Sequence, residues 1–253
     1  MEYGILGPVC VRRDGKELGL GGTKPRTVLA ALLIAEGSFC PDTRLSGFLW
    51  GHRPPATLSA QLYNYVSRLR RTLGPGVRID RRDQGYLMRT GTASFDLLRF
   101  RELAGEGQAA MAEGRYGEAG DLLRDALALW RGPVLADVSE HLALAEGPPL
   151  EEARISVLAG RVEADLAMGR HPEVLPELTR LVARHPMHER FRAQLMTALY
   201  RGDRQTEALT AYDVGRRRLN DEMGLEPGPL LRRVHRAILA SDPCLHRPLD
   251  QWR

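Results

Sequence analysis

An apolar stripe between Ala56 and Leu73 constrains this chain more than any other feature of its sequence. Five residues recur there at intervals of three or four, namely Leu58, Leu62, Val66, Leu69 and Leu73. This spacing places them on one face of an α-helix, and that face must pack on a core. We therefore predict an amphipathic helix over residues 56–73 whose opposite face is turned outward.

The outward face of that helix is suited to nucleic acid. It carries no acidic residue, and its members are Thr57, Ala60, Asn64, Ser67, Arg68 and Arg71. Arginine and small polar side chains make many of the contacts to DNA phosphates, and nothing on this face repels a phosphate. We interpret the helix as one that reads DNA.

Residues 77–89, directly behind the helix, predict a hairpin. Apolar and polar residues alternate in this segment, and Arg81, Arg82 and Gly85 lie at its centre. This pattern is typical of two short strands joined by a tight turn. A DNA-reading helix followed by a basic hairpin is the arrangement of a winged helix.

Basic charge is confined to the first third of the chain. Residues 1–93 hold 14 Lys or Arg and 7 Asp or Glu, whereas residues 94–253 hold 22 and 25. A basic small domain is expected of a polyanion binder, because each neutralised phosphate releases counterions. The alternative is that Arg is simply abundant, since the chain has 34 Arg and 2 Lys. That skew explains why Arg replaces Lys, but it does not explain the missing acids beside Arg68 and Arg71.

Residues 1–93 are predicted to form one domain of short strands and three helices. Strands are expected at 3–7, 9–13 and 17–20, and the two earlier helices from 23 to before 37 and from 41 to 50. Thr23 is expected to cap the first of these helices, with Pro25 in its first turn. The connector before the third helix is stiff and exposed, because a residue that precedes proline is held out of the helical region.

Residues 94–253 are predicted to form a second, all-α domain of paired helices. Turn sequences at 114–119, 169–174 and 202–208 each join two amphipathic segments, and Glu173 and Glu207 lie 34 residues apart. That distance is the tetratricopeptide period, in which stacked helix pairs cover each other's apolar faces. Residues 131–150 are rich in Gly and Pro, which predicts an irregular insertion, and a last helix is expected at 230–240. The chain is thus predicted to be mainly α with a small β component.

Other patterns point to no chemistry. Three cysteines without Cys-x-x-Cys spacing predict neither a disulfide framework nor a zinc site. The glycine-rich stretch 19–25 has proline where a phosphate loop needs Ser or Thr, and His185 with His188 lacks a further ligand. We therefore expect no metal, no cofactor and no catalytic residue.

The longest apolar run, residues 28–35, is too short to cross a membrane, so a cytoplasmic, nucleoid-associated protein is expected.

Short motifs distributed over residues 2–243 carry a resemblance to a known family. They are Leu6-Gly-Pro8, Leu49-Trp-Gly51, Pro54-Pro-Ala-Thr57, Tyr65-Val-Ser-Arg-Leu-Arg-Arg71, Gly85-Tyr-Leu87, Leu127-Ala-Leu-Trp-Arg-Gly-Pro133, Gln194-Leu-Met196, Ala198-Leu-Tyr200 and Glu226-Pro-Gly-Pro229. With these motifs in this order, the chain resembles the Streptomyces antibiotic regulatory protein (SARP) family. The resemblance implies an OmpR-type winged helix over residues 1–93 and a bacterial transcriptional activation domain of tetratricopeptide-like helices over residues 94–253.

The resemblance also implies which residues meet DNA. Helix residues that match base or phosphate contacts in related winged helices are Gln61, Asn64, Tyr65, Ser67, Arg68 and Arg70. The wing residue that matches a minor-groove contact is Arg82, and a guanidinium suits a narrow groove with concentrated negative potential. Arg70 has an alternative, structural interpretation, since it lies near the edge of the apolar stripe and could pair with an acid or lie along the first helix. The sequence departs from the usual family helix at Ser59 to Gln61, Tyr63 and Asn64.

These expectations combine into one function. We predict a sequence-specific transcriptional activator of an antibiotic gene cluster, which binds tandem promoter repeats near the −35 region as a homodimer and recruits RNA polymerase holoenzyme. The connector His52, Arg53, Pro54 and Pro55 is expected to contact the polymerase sigma factor, and its alternative role is only to end one helix and begin the next. The rival function is a helical-repeat interaction scaffold with a non-functional winged helix. An enzyme is not expected, because no paired carboxylates, nucleophile motif or metal cluster stands out.

Overall fold

The computed structural model describes residues 1–249. Its strands are β1 Glu2–Gly4, β2 Cys10–Arg13, β3 Lys16–Glu17, β4 Cys40–Pro41, β5 Arg78–Arg82, β6 Gly85–Arg89 and β7 Ser94–Phe95. Its helices are α1 Thr23–Ile34, α2 Asp42–Trp50, α3 Leu58–Leu73, α4 Asp96–Ala112, α5 Tyr116–Ala128, α6 Glu140–Ala167, α7 His171–Arg184, α8 Glu189–Arg201, α9 Gln205–Met223 and α10 Pro229–Ala240. A 3-10 turn follows at Pro243–His246. The chain is mainly helical with a small β component, as predicted.

Two small sheets frame the first three helices. One has the order β3-β2-β1-β7, in which β1 pairs with β2 antiparallel and with β7 parallel. The other has the order β4-β6-β5, and β5 and β6 form the predicted hairpin with Arg82 opposite Gly85. The N-terminal strands are shorter than predicted, and Leu20 lies outside them. The predicted cap at Thr23 is wrong, because Thr23 is already the first helical residue and no side chain caps α1.

The chain divides into two compact units that do not follow its linear order. The first unit comprises residues 1–103 and 126–155, and the second comprises residues 104–125 and the chain from 156 onward. Residues 131–135 contact the N-terminal strand region of the first unit through their main chain: the N–H of Arg131 donates to the Leu6 carbonyl, and that of Leu135 donates to the Ile5 carbonyl. The functional boundary expected at residue 93 stays a prediction.

The irregular insertion expected over residues 131–150 is wrong in its second half. Helix α6 begins at Glu140 and continues through Pro148 and Pro149. Proline removes an N–H donor and leaves the carbonyl four residues earlier without its helical partner. Those carbonyls belong to Leu144 and Ala145, which are exposed to solvent, and buried leucines on both sides of the prolines anchor the helix. Burial therefore outweighs the local helix-breaking signal.

The second unit contains helix pairs joined at the predicted turns. Around α4, α5 and α6, the fully buried Ala110, Ala119 and Ala164 allow the helices to approach closely. Helix α8 packs against α7, α9 and α10. Its residues from Phe191 to Leu199 are all buried, so α8 is a central helix of this unit. Within residues 1–249, no helix is both long and apolar enough to span a bilayer.

Asp96 joins β1 to the start of α4 in the first unit. Its carboxylate accepts from the N–H groups of Ile5 and Leu6, each at 3.0 Å, and from Arg131 at 3.2 Å. Burial raises the pKa of Asp96, while the two N–H donors and the Arg131 guanidinium oppose that rise. The carboxylate thus satisfies the main chain at the point where β1 ends.

We expect Asp96→Ala to lower the free energy of unfolding by roughly 2–4 kcal/mol, because two main-chain donors and one guanidinium lose their acceptor. Asp96→Asn keeps one acceptor oxygen, so it should lose less. The control is Asp125→Ala at an exposed site, which should change the value by less than about 0.5 kcal/mol. Urea unfolding of the full chain measures all three, and equal loss in Asp96→Ala and Asp125→Ala would refute the role of Asp96.

Candidate nucleic-acid interface

Helix α3 is oriented by its apolar stripe. Leu62, Val66, Leu69 and Leu73 are each at most 1% exposed, and α3 packs on α1. The stripe begins less deeply, since Leu58 is only half-buried. The opposite side therefore faces outward and presents Asn64, Arg68 and Arg71 to solvent.

Three of the predicted contact residues form a chain of hydrogen bonds at the start of α3. The Gln61 side-chain amide donates to the Thr57 hydroxyl at 3.0 Å, and the Tyr65 hydroxyl donates to the Gln61 side-chain Oε1 at 3.3 Å. Thr57 is exposed, whereas Gln61 and Tyr65 are half-buried. These bonds hold the three side chains in place before any ligand binds. Ser67, two residues beyond Tyr65, is half-buried.

Arg68 and Arg71 line one shallow cavity of about 450 Å³. The rest of its wall comes from Gly19 to Gly21, Pro25 and Thr72, so it contains no carboxylate. Neither arginine forms an ion pair with any residue in the range 1–249. The sequence indicated the two arginines but not the glycine turn opposite them, because that turn is about 50 residues away in the chain.

Arg70 is used differently from its neighbours. Its Nε donates to the Ile79 carbonyl at 2.9 Å, and its Nη2 contacts the same oxygen. The side chain is half-buried and joins the end of α3 to β5. Arg70 thus has a structural partner, but that partner is a main-chain carbonyl of β5 and not the acid or the first helix of the alternative interpretation. Its predicted phosphate contact stays a prediction.

The adjacent Arg81 and Arg82 of the hairpin also differ in their partners. Arg81 makes a bidentate ion pair with Asp42, with both N–O distances at 2.7 Å. Its guanidinium lies 4.7 Å from the centre of the Tyr86 ring, and the hydrogen bond to Asp42 raises the pKa of Arg81. Arg82 is exposed at the end of β5 and forms no ion pair among the described residues. Arg81 therefore fixes the wing to α2, and Arg82 is available to a ligand.

Gly85 allows the hairpin to approach the rest of the domain. A Cβ at this position would lie 2.4 Å from the Phe39 ring and 2.5 Å from the Cys40 carbonyl oxygen. Only glycine permits β6 to pair with β4 at this separation.

The connector between α2 and α3 is exposed and held at both ends. His52, Arg53 and Pro54 are exposed, and Pro55 is half-buried. The N–H of Arg53 donates to the Trp50 carbonyl, and the Pro55 carbonyl accepts from Leu58. Before the connector, Gly51 has φ +60° and lies against the His141 ring, where a Cβ would be 2.7 Å from the ring. The connector thus presents Arg53 from a fixed main chain.

His185 and His188 both lie beside the Phe191 ring. His188 caps α8, since its Nδ1 accepts from the N–H of Phe191 at 3.3 Å, and its ring lies 4.2 Å from the Phe191 ring. Over the described range 1–249, no three His, Cys, Asp or Glu side chains are grouped in a way that could hold a metal ion.

Comparison with known proteins places this arrangement in a family. Residues 95–239 match the family described as bacterial transcriptional activator domain. The chain is 43% identical to the regulatory protein AfsR of Streptomyces coelicolor over 97% of this chain and 25% of AfsR. It is 38% identical to the regulatory protein DnrI of Streptomyces peucetius over 98% of this chain and 95% of DnrI. The chain thus spans about a quarter of AfsR but nearly all of DnrI.

A solved structure agrees with the sequence comparisons. The fold superimposes on Mycobacterium tuberculosis EmbR, determined in complex with a low-affinity phosphopeptide, with a TM-score of 0.90 and 35% identity. The match covers 96% of this chain and 65% of the EmbR chain. The chain belongs to the Streptomyces antibiotic regulatory protein family of transcriptional regulators.

Proposed function

We propose that this chain is a sequence-specific DNA-binding activator, pathway-specific for a secondary-metabolite gene cluster. The observation that carries the proposal is the outward face of α3, where Arg68 and Arg71 are exposed and unpaired within residues 1–249 beside a cavity without carboxylates. Three exposed guanidiniums, counting Arg82, favour a polyanion, because each is always charged and presents a planar set of donors. Family membership and the names of the relatives support a regulatory role.

The proposed contacts divide between base edges and backbone. Helix α3 enters the major groove, where Asn64, Ser67 and Arg68 reach base edges. Arg71 meets a phosphate at the cavity that it shares with Arg68. Arg82 enters the adjacent minor groove, where its planar charge responds to groove width.

Three further residues of the interface, Thr57, Gln61 and Tyr65, act as one hydrogen-bonded unit at the start of α3. A group already ordered in the free protein loses less entropy on binding.

Two chains bind tandem repeats near the −35 region as a homodimer on DNA.

Activation is proposed to depend on the connector His52 to Pro55. It lies directly before the DNA-reading helix, so a protein on neighbouring promoter DNA would meet it. Arg53 is exposed and forms no ion pair with any described residue, which suits an acidic surface of RNA polymerase holoenzyme, the sigma factor included. The two prolines stiffen the connector and reduce the entropy lost on contact.

Direct DNA binding separates this proposal from the interaction scaffold. Affinity for a promoter fragment should fall with salt by about 0.9 log units per log unit of salt for each phosphate contacted. The measurement is a gel-shift titration of the full chain on promoters of neighbouring genes. A flat salt response, or no binding at any salt concentration, would leave the scaffold as the function.

Arg68 and Arg70 provide a matched pair of variants. Arg68→Ala should cost about 1–3 kcal/mol in operator affinity and relax preference at one base pair, with unchanged thermal stability. Arg70→Ala should lower stability, because the Ile79 carbonyl loses its donor. Melting curves and binding to a set of single-site operator variants measure both effects. Uniform weakening of Arg68→Ala across all sequences would make Arg68 a phosphate contact.

The connector can be tested independently of DNA binding. We expect Arg53→Ala and His52→Ala to retain operator affinity but to reduce transcription by purified RNA polymerase, because both side chains are exposed beside the bound DNA. Arg44→Ala on α2, whose partner is Glu146, serves as a nearby control and should leave transcription unchanged. Parallel losses of binding and transcription, or no loss of either, would reduce the connector to a structural role.

A further inference from the structure

The segment after α10 lies in a specific site on the second unit. It comprises Pro243–Leu249, which we call the strap, and it begins with one 3-10 turn. Ser241, at φ +49° and exposed, separates the strap from α10. The strap contacts α6 and α8 through the residues described below. The strap is thus a distinct element, joined to the helices by a short, exposed link.

Arg201 on α8 recognises the main chain of the strap. Its Nε donates to the Leu245 carbonyl at 2.7 Å, and its Nη2 donates to the Arg247 carbonyl at 3.0 Å. The remaining guanidinium nitrogen donates to the Leu166 carbonyl at 2.6 Å near the end of α6. Burial lowers the pKa of Arg201. A single guanidinium therefore joins α6 and α8 to two alternate carbonyls of the strap.

Glu163 on α6 provides the matching acceptor. One carboxylate oxygen accepts from the N–H of Leu249 at 2.6 Å, and the other accepts from the Gln194 amide at 2.9 Å. Glu163 is 1% exposed and Gln194 is fully buried. Together, Glu163 and Arg201 bind two main-chain carbonyls and one main-chain N–H. Every residue of a peptide carries both groups, except that proline has no N–H.

Side-chain selectivity comes from two leucines. Leu245 is 0% exposed and Leu249 is 4% exposed, and Pro248 between them is buried. His246 and Arg247 are exposed. The strap thus buries the pattern Leu-x-x-Pro-Leu and exposes the two intervening residues.

The strap does not satisfy this site completely. The side-chain N–H groups of Gln194 donate to Glu163 and to the Ala159 carbonyl. Its side-chain Oε1 is buried without a donor among the described residues. A buried acceptor without a partner is uncommon in native structures. A peptide that brought a donor to this oxygen would bind more tightly than the strap does.

We propose that Glu163, Gln194 and Arg201 form a peptide-binding site that the strap occupies in cis and that a partner segment of the form Leu-x-x-Pro-Leu occupies in trans. Recognition through main-chain groups and two apolar side chains is a general way to hold a short peptide. A tethered segment has an effective concentration on the order of millimolar, so a free peptide with the strap's own sequence competes only when the strap is weakened, and a partner segment must bind more tightly than the strap does. The proposal concerns the second unit and does not depend on DNA binding.

The test uses the full chain with Leu245→Ala and Leu249→Ala, which weakens the strap and leaves the site intact. The probe is a fluorescein-labelled synthetic peptide with the sequence of residues 241–249, and fluorescence anisotropy measures its binding. We expect at least tenfold tighter binding to the weakened chain than to the unaltered chain. The same peptide with both leucines replaced by alanine should lose at least tenfold, as should the weakened chain that also carries Arg201→Lys.

The matched control is the chain with Leu225→Ala and Leu239→Ala, since these leucines are 58% and 59% exposed. It should bind the probe as weakly as the unaltered chain does. Equal affinity of the weakened and unaltered chains for the probe would overturn the proposal. So would loss of slow hydrogen exchange throughout α8 in the weakened chain, because the strap would then be an integral part of the helical core.

Discussion

The packing of the α3 stripe against the core determines what this protein can present to a ligand. Leu62, Val66, Leu69 and Leu73 are all buried on one side of the helix, and burial of such side chains contributes about 1.5–3 kcal/mol each. A rotation of α3 that exposed the stripe would lose most of that free energy. The apolar stripe therefore fixes the outward position of Arg68 and Arg71 without any contact made by the arginines themselves.

The arginines of the chain divide into two groups according to their partners. Arg70, Arg81 and Arg201 are used within the protein, where they bind main-chain carbonyls or a carboxylate. Arg68, Arg71 and Arg82 have no ion-pair partner within residues 1–249. An unpaired guanidinium on the surface keeps its donors for a ligand, whereas a paired one would first have to break its bonds. The exposure of Arg68 and Arg71, together with the absence of a carboxylate from the wall of the cavity beside them, supports the proposed DNA interface.

Buried polar groups define the second unit in a similar way. A carboxylate and a guanidinium within the helical core are costly unless their hydrogen bonds are completed. At Glu163 and Arg201 they are completed partly by the main chain of the strap. The requirement to cover these groups explains why the chain returns to the helices after α10, and it is the physical basis of the proposed peptide site.

The sequence alone determined the helices of the first domain, the hairpin and the paired helices, because each depends on local periodicity and turn residues. Its 3.6-residue pattern also determined which face of α3 is exposed. Only the tertiary structure decided the use of Arg70 and Arg81, since Ile79 and Asp42 become their partners through folding. The same holds for α6, where burial of Leu142 and Leu150 maintains a helix through two prolines. Local signals predict elements, but partners distant in the chain decide which side chains remain free to act.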